Sequence, residues 1–363
     1  MRNKKALFPL LAVICLLSAS SCNDRTTTTE NAAVFIASDA PADFFDKPAE
    51  YLDWQSASLL NIVRSIISVY PPQVIEPQER QMALVMLDAV FHDEGAPHRN
   101  SVQEFHHQQI SSIINELQKS EVKNGMMIWK LYDMGIIIRT EKVTVAFDIT
   151  RGLSSKSEEF ALSDEMMDKI TDQCDLLFIS HNHWDHADEV VAQMFVDKSK
   201  PVITPPDIWE GKEIYNHIIH MERKAHELQR VWLDNKKLNL DVVVYPGHQG
   251  VDLLNNVVLV FTPDGYNVCH TGDQSNRDDF SWIDEVAKKY SVDMLIPNCW
   301  TTDPLRTANG FAPQIIIPAH ENELGHSIDH REAYALNYSR WDVPFSKVIM
   351  TWGESFHFNP NKK

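Results

Sequence analysis

The chain has 363 residues, 44% of them hydrophobic, and 51 acidic against 33 basic side chains give it a formal net charge of -18. That length and apolar content fit one α/β domain with a helical addition. The acidic excess excludes nucleic acid as a partner, since nucleic acid needs a basic face, but it leaves a lipid surface open to a chain that is anchored by other means.

In chain order, Arg2, Lys4 and Lys5 precede an apolar run at 6–17, and the small residues Ser18-Ala19-Ser20-Ser21 lead to Cys22. The run is too short for a comfortable membrane span. Residues 1–22 read as a secretory signal with a lipobox-like cleavage site. Its use would make Cys22 the lipidated first residue of an extracytoplasmic, membrane-anchored bacterial lipoprotein, periplasmic or at the cell surface. Ordinary signal cleavage nearby is the alternative. Residues 23–48, with four threonines at 26–29, read as a flexible tether. Beyond the leader only Cys174, Cys269 and Cys299 remain. Three cysteines without close spacing argue for buried thiols and against a disulfide framework.

Residues 49–122 have helical periodicity. Leu59, Leu60, Val63, Ile66 and Ile67 recur at three and four and stop before Pro71-Pro72. Pro77 opens a second helix carrying Met82, Val85, Met86, Ala89 and Val90. Ser101 and Glu104 form a capping box for a third, with Phe105, Ile110, Ile113, Ile114 and Leu117 on its apolar face. So short a piece has little core of its own and is expected to pack on the rest. His92, Asp93, His98, His106 and His107 read as helix faces and a polar loop, not as a metal site.

Strand patterns follow. Apolar segments lie at 127–138 and 143–148. The run Leu176-Leu177-Phe178-Ile179 then leads into His181-Asn182-His183-Trp184-Asp185-His186. Imidazole and carboxylate are the ligands that borderline first-row metals prefer. A strand ending at Ser180 leaves this cluster on a loop at the sheet edge. His181 and His183 can face one point, while Asp185 and His186, at the start of the next helix, reach a second point nearby. Asp188 can hydrogen-bond a ligand imidazole from outside the coordination sphere. It also reads as a first-turn residue favoured by the helix dipole, and both roles can hold.

Further strands carry further candidates. Segment 240–245 is followed by Pro246-Gly247-His248-Gln249-Gly250, whose glycines allow a tight turn that aims His248 inward. His217, His220 and His226 read as helical and solvent-facing. Segment 266–270 runs into Thr271-Gly272-Asp273, with His270 inside the strand as a core residue or an outer partner of the site. Segment 292–297 ends at Asn298, Cys299 and Trp300. Ile315-Ile316-Ile317-Pro318-Ala319 leads to His320, after which Glu321 and His326 are candidates to line a pocket or to sit in an ordinary loop.

His181-x-His183-x-Asp185-His186 after a buried strand, with Thr271-Gly272-Asp273 and the histidines downstream, resembles the signature of the metallo-β-lactamase-fold hydrolases. The resemblance covers roughly residues 126–358, and the hydrolase domain it implies spans 123–358. Its opening hairpin and its closing segment at 347–354 are similar to the branch of ascorbate-6-phosphate lactonases and N-acyl-phosphatidylethanolamine-hydrolysing phospholipases D. It implies an α/β fold, a four-layer αβ/βα sandwich, here with an N-terminal helical extension at 49–122. It implies two divalent metal ions, zinc first, with Mn2+ or Fe2+ as alternatives. One ion would be held by His181, His183 and His248, the other by Asp185, His186 and His320, with Asp273 bridging them. The implied enzyme is a metal-dependent hydrolase in which a metal-bridging hydroxide, oriented by Asp185, cleaves an ester-type bond. A phosphodiester or a lactone, in a small-molecule or lipid substrate, is expected. The alternative is a noncatalytic metal-binding or sensing lipoprotein that retains the fold. The segment from Glu321 to His326 matches no substrate motif of the family.

Overall fold

The computed structural model describes residues 40–41, 44–152 and 158–360. The signal segment, Cys22 and most of the tether lie outside the described residues.

Three helices come first: α1 (Pro48–Val69), α2 (Gln78–Phe91) and α3 (Asn100–Lys119). Pro77 occupies the cap of α2, where its missing N–H costs nothing. The expected capping box of α3 does not form. The helix begins at Asn100, which places Ser101 inside it, and its cap residue Arg99 makes no side-chain cap. Arg99 instead pairs with Asp53 and Asp93 and fixes that corner by charge.

The remainder is two mixed sheets. In the first, β1 (Met126–Lys130), β2 (Ile136–Arg139), β3 (Thr144–Phe147), β4 (Leu176–Phe178), β5 (Val202–Thr204) and β6 (Ile219–His220) lie side by side. In the second, β7 (Leu228–Leu233), β8 (Leu238–Gln249), β9 (Leu253–Phe261), β10 (Asn267–His270), β11 (Met294–Ile296), β12 (Ile315–Ile316) and β13 (Ser346–Lys347) do the same. The closing strand β14 (Glu354–Phe358) returns to the first sheet beside β1. Each sheet changes from antiparallel to parallel pairing part-way across, at β3 and at β10.

Alternation along the strands builds the layers. Ile136 and Ile138, Leu176 and Phe178, Val242 and Val244, and Met294 and Ile296 meet in the core between the sheets. The intervening Ile137 and Leu177 face outward beneath α3, α4 (Asp164–Gln173) and α5 (Glu189–Asp197). Val243 and Leu295 face outward on the other sheet, against the helical segments near Phe280 and Phe311. The result is a four-layer αβ/βα sandwich. The N-terminal helices add a further cluster, in which Leu60, Leu87 and Phe91 pack with Tyr132, Tyr334 and Trp352 of the sandwich.

The segment holding His217, His220 and His226 is not a helix. It is a short 3-10 turn at Glu213–His217, then β6, then a turn in which His226 has φ 66°. Pairing of β6 along the open edge of β5 wins over local helical preference. Cys174, Cys269 and Cys299 are buried free thiols.

Candidate metal centre

Strands β3, β4, β10, β11 and β12 deliver their carboxyl ends to one edge of the sandwich, the usual place for ligands in open α/β sheets. The loop after β4 carries His181, His183, Asp185 and His186. The turn after β10 carries Asp273, and the segment after β12 carries His320.

Two groups of side chains converge there. His181, His183 and Asp273 offer atoms all within 4.8 Å of one another, and so do Asp133, Asp185, His186 and His320. Asp273 joins the groups. Its Oδ2 lies 3.6 Å from Nε2 of His181, 3.5 Å from Nε2 of His186 and 3.4 Å from Nε2 of His320. Asp185 Oδ2 lies 3.3 Å from Nε2 of His186 and 3.5 Å from Nε2 of His320. Ligands about 2.1 Å from a tetrahedral zinc stand about 3.4 Å apart, so these spacings suit an ion. The atoms that face inward also lack other partners: Nε2 of His181, His186 and His320, Oδ1 of Asp273 and both carboxylate oxygens of Asp133 are buried without a hydrogen bond. Buried polar groups are seldom left so, and a cation is what a set of this chemistry fits.

The surrounding chain fixes the rings. Asp148, at the end of β3, accepts hydrogen bonds from Ser180 N at 2.7 Å and Ser180 Oγ at 2.6 Å. Its Oδ2 also lies 2.8 Å from His186 Nδ1, which turns Nε2 of that ring toward the cluster. Ser180 Oγ lies 3.0 Å from His181 Nδ1. The Thr271-Gly272-Asp273 turn is held by Asn255, whose Oδ1 accepts from Asp273 N at 2.9 Å and whose Nδ2 donates to Thr271 O at 2.7 Å. Gly272 is required there: φ is 50°, and a Cβ would sit 2.3 Å from both Asn255 Oδ1 and Ser180 Cβ. Asp133, Asp148 and His320 all have positive φ, at 56°, 46° and 76°. Strain concentrated in three non-glycine residues of one site is typical of functional geometry.

The charges interlock. Burial alone would lower the His186 and His320 imidazoles, but the carboxylates around them, Asp273 foremost for His186 and Asp133 for His320, raise both well above the ordinary value. Burial alone would raise Asp185 and Asp273, yet His186 and His320 hold both well below the usual carboxylate range.

Of the seven side chains expected as ligands, His248 is not brought to the cluster. Its backbone N–H donates to Asp279 Oδ2 at 2.8 Å and its Nδ1 lies 3.0 Å from Asp279 Oδ1. Adjacent strand residues point to opposite sides, and it is Gln249 that turns to the site, with Nε2 3.1 Å from Asp273 Oδ2. Along β8 it is thus Gln249, one residue on from His248, that contacts Asp273 and borders the cavity.

Three other expectations resolve differently. Asp188 touches no ligand imidazole. It caps α5 through Val190 N and Val191 N and pairs with Arg151, while Asp148 supplies the imidazole contact. Glu321 is fully buried against Lys130 and accepts from Asn337 Nδ2 at 2.5 Å, so it does not line the pocket. His270 lies beside the site, stacked on Phe147 and 3.2 Å from Met134 O. His326 does border the cavity, as does Trp300. Asp133, Asp148 and Gln249 are what sequence reasoning missed. For Asp148 a signal existed, an aspartate directly after an apolar strand, as with Asp273.

No protein-family model matches the chain, and no curated protein matches it. Several solved structures are similar. A metallo hydrolase from the archaeon Ignicoccus hospitalis shares 18% identity over 64% of this chain and 99% of its own, with a TM-score of 0.44. An isothiocyanate hydrolase from Delia radicum gut bacteria shares 13% over 65% and 100%, at 0.45. CmlA, a diiron β-hydroxylase from Streptomyces venezuelae, shares 11% over 66% of this chain and 55% of its own, at 0.43. Metal-dependent hydrolases and a diiron hydroxylase are thus among the similar structures, and the chemistry of this chain rests on its own side chains.

Proposed function

We propose that the protein is a metal-dependent hydrolase with two divalent ions, zinc first and manganese or iron as alternatives, acting on an ester-type bond. One observation carries the reading: buried, unpartnered imidazole and carboxylate atoms converge from both sides on Asp273. His181, His183 and Asp273 would hold one ion, and Asp185, His186, His320 and the shared Asp273 the other. Such a pair supplies Lewis acidity and a water acidified to near neutral pH. The chain supplies the rest. Asp148 and Ser180 fix the imidazoles, and Asp185, kept ionised by His186 and His320, can orient a reacting water.

A cavity of about 330 Å³ opens directly onto His183, Asp185, Asp273 and His320. Structural metal sites are closed and catalytic ones keep an open position, which favours an enzyme over a noncatalytic metal-binding or sensing protein. Beyond the ligand set, the lining among the described residues is Gln249, Trp300, His326, Asp329, His330 and Glu332, with no lysine or arginine. Apart from the ions themselves, no lysine or arginine among the described residues is there to pair with the charge of a phosphodiester. An uncharged lactone or carboxylic ester of small size fits better, so within the resembled branch the lactonase reading is preferred to the phospholipase D reading. The test is a screen of metal-loaded protein against lactones, carboxylic esters, phosphodiesters and N-acyl phospholipids. Turnover of uncharged esters alone supports the reading; turnover of phosphodiesters alone contradicts its substrate class. We further propose, from the sequence alone, that Cys22 carries a lipid anchor and places the enzyme outside the cytoplasm.

A further inference from the structure

The two halves of the centre are unequal. On the side of His320, Asp133 adds a second unshared carboxylate to Asp185. Asp133 is fully buried, and neither of its oxygens has a hydrogen bond. Its Oδ1 lies 3.0 Å from Nδ1 of His320, and its Oδ2 3.6 Å from Nε2 of His186. The backbone holds it in place, since His320 N donates to Asp133 O at 3.3 Å. On the side of His181 the described residues offer no unshared carboxylate. There the neutral amide of Gln249 meets Asp273, with Nε2 3.1 Å from Oδ2, and its Oε1 is buried without a hydrogen bond.

Resting on the metal reading above, we propose that Asp133 is a further ligand of the ion held by Asp185, His186 and His320. Gln249 completes the other site with a neutral amide, so the Asp133 site fills first and far more tightly. Two unshared carboxylates and two imidazoles attract a dication more strongly than two imidazoles and an amide. A carboxamide oxygen is also a poorer ligand than imidazole for borderline metals.

The test is calorimetric titration of chelator-stripped full-length protein with Zn2+, followed by Co2+ spectra at one equivalent. Two steps are expected, separated by at least about a hundredfold in affinity. His320→Ala should abolish the tight step, and His183→Ala should leave it. Asp133→Asn, nearly isosteric, should weaken the tight step by more than about a hundredfold and change the one-equivalent Co2+ spectrum. A residue that only positions His320 would leave the spectrum as it was. Gln249→His should strengthen the weak step at least about tenfold and spare the tight one. Two steps of equal affinity, a tight step lost with His183, or an unchanged spectrum in Asp133→Asn would each overturn the proposal while leaving a metal centre in place. No binding at all would remove the metal reading itself, and this proposal with it.

Discussion

Asp148 Oδ2 lies 2.8 Å from His186 Nδ1, and the same carboxylate takes both hydrogen bonds that Ser180 can donate. One buried side chain at the end of β3 therefore orients the loop after β4 and one of its imidazoles. Asp148→Asn keeps the shape but removes the charge. It is expected to lower metal affinity by about 10–100-fold. Competition with a chromophoric chelator measures this, and an unchanged affinity would show that His186 is oriented by other means.

The helical extension reaches the site through Asp88. Its carboxylate accepts from Asn322 Nδ2 at 2.9 Å, Tyr334 N at 2.8 Å and Ala335 N at 3.0 Å. These bonds clamp the segment that follows His320. Asp88→Ala leaves buried donors unsatisfied and should cost about 1–3 kcal/mol of stability. Urea denaturation and hydrogen exchange over residues 320–336 are the measurements. Loss of stability without faster exchange in that segment would mean that Asp88 serves only the helices.

His106 gives the fold an acid sensitivity. Burial foremost, with His107 beside it, pushes its imidazole down to about 3 from an ordinary 6.5. The ring is stacked on Phe160 and meets Trp352 edge-on. A folded pKa below the unfolded one means that the unfolded chain binds the proton first. The stability from this group is therefore complete above pH 6.5 and is lost progressively as pH falls toward 3. His106→Phe should lose less stability than the wild type between pH 7 and pH 5. Equal losses in paired urea titrations at the two pH values would contradict a buried neutral imidazole.

The lipid anchor is tested by location. Cys22→Ser should move the protein from the membrane fraction to a soluble extracytoplasmic pool. Retention in membranes to the same extent would rule out Cys22 as the attachment point.

Much of this was legible in the chain. The apolar runs at Ile136-Ile137-Ile138 and Leu176-Leu177-Phe178 foretold buried strands, the resemblance to the metallo-β-lactamase-fold hydrolases implied the sandwich, and a short loop dense in candidate ligands pointed to where the side chains converge. Errors arose where chemistry had to be assigned without direction. His248 looks the better ligand, but β8 turns its neighbour Gln249 to the site, and side-chain direction changes with every residue of a strand. Asp133 could not be found from spacing, because the hairpin after β1 meets His320 only through the folded sandwich and needs a φ of 56° to do so. Glu321 was left open between a pocket and an ordinary loop because its partner Lys130 lies on a strand far away in sequence. The first turn of α3 was misplaced because Arg99 fixes it by ion pairs that sequence periodicity does not contain.

The central claim is that Asp273 joins two metal sites that together perform hydrolysis. Metal content measured on the same samples as ester hydrolysis tests it most directly, for the wild type and Asp273→Ala. Two ions per chain are expected under metal-replete conditions, with activity lost on chelation and restored by the metal. Asp273→Ala should lose activity and disturb both sites, since its carboxylate faces His181, His186 and His320 alike. A wild type that binds no metal, or an Asp273→Ala variant that keeps both ions and full hydrolysis, would contradict the account.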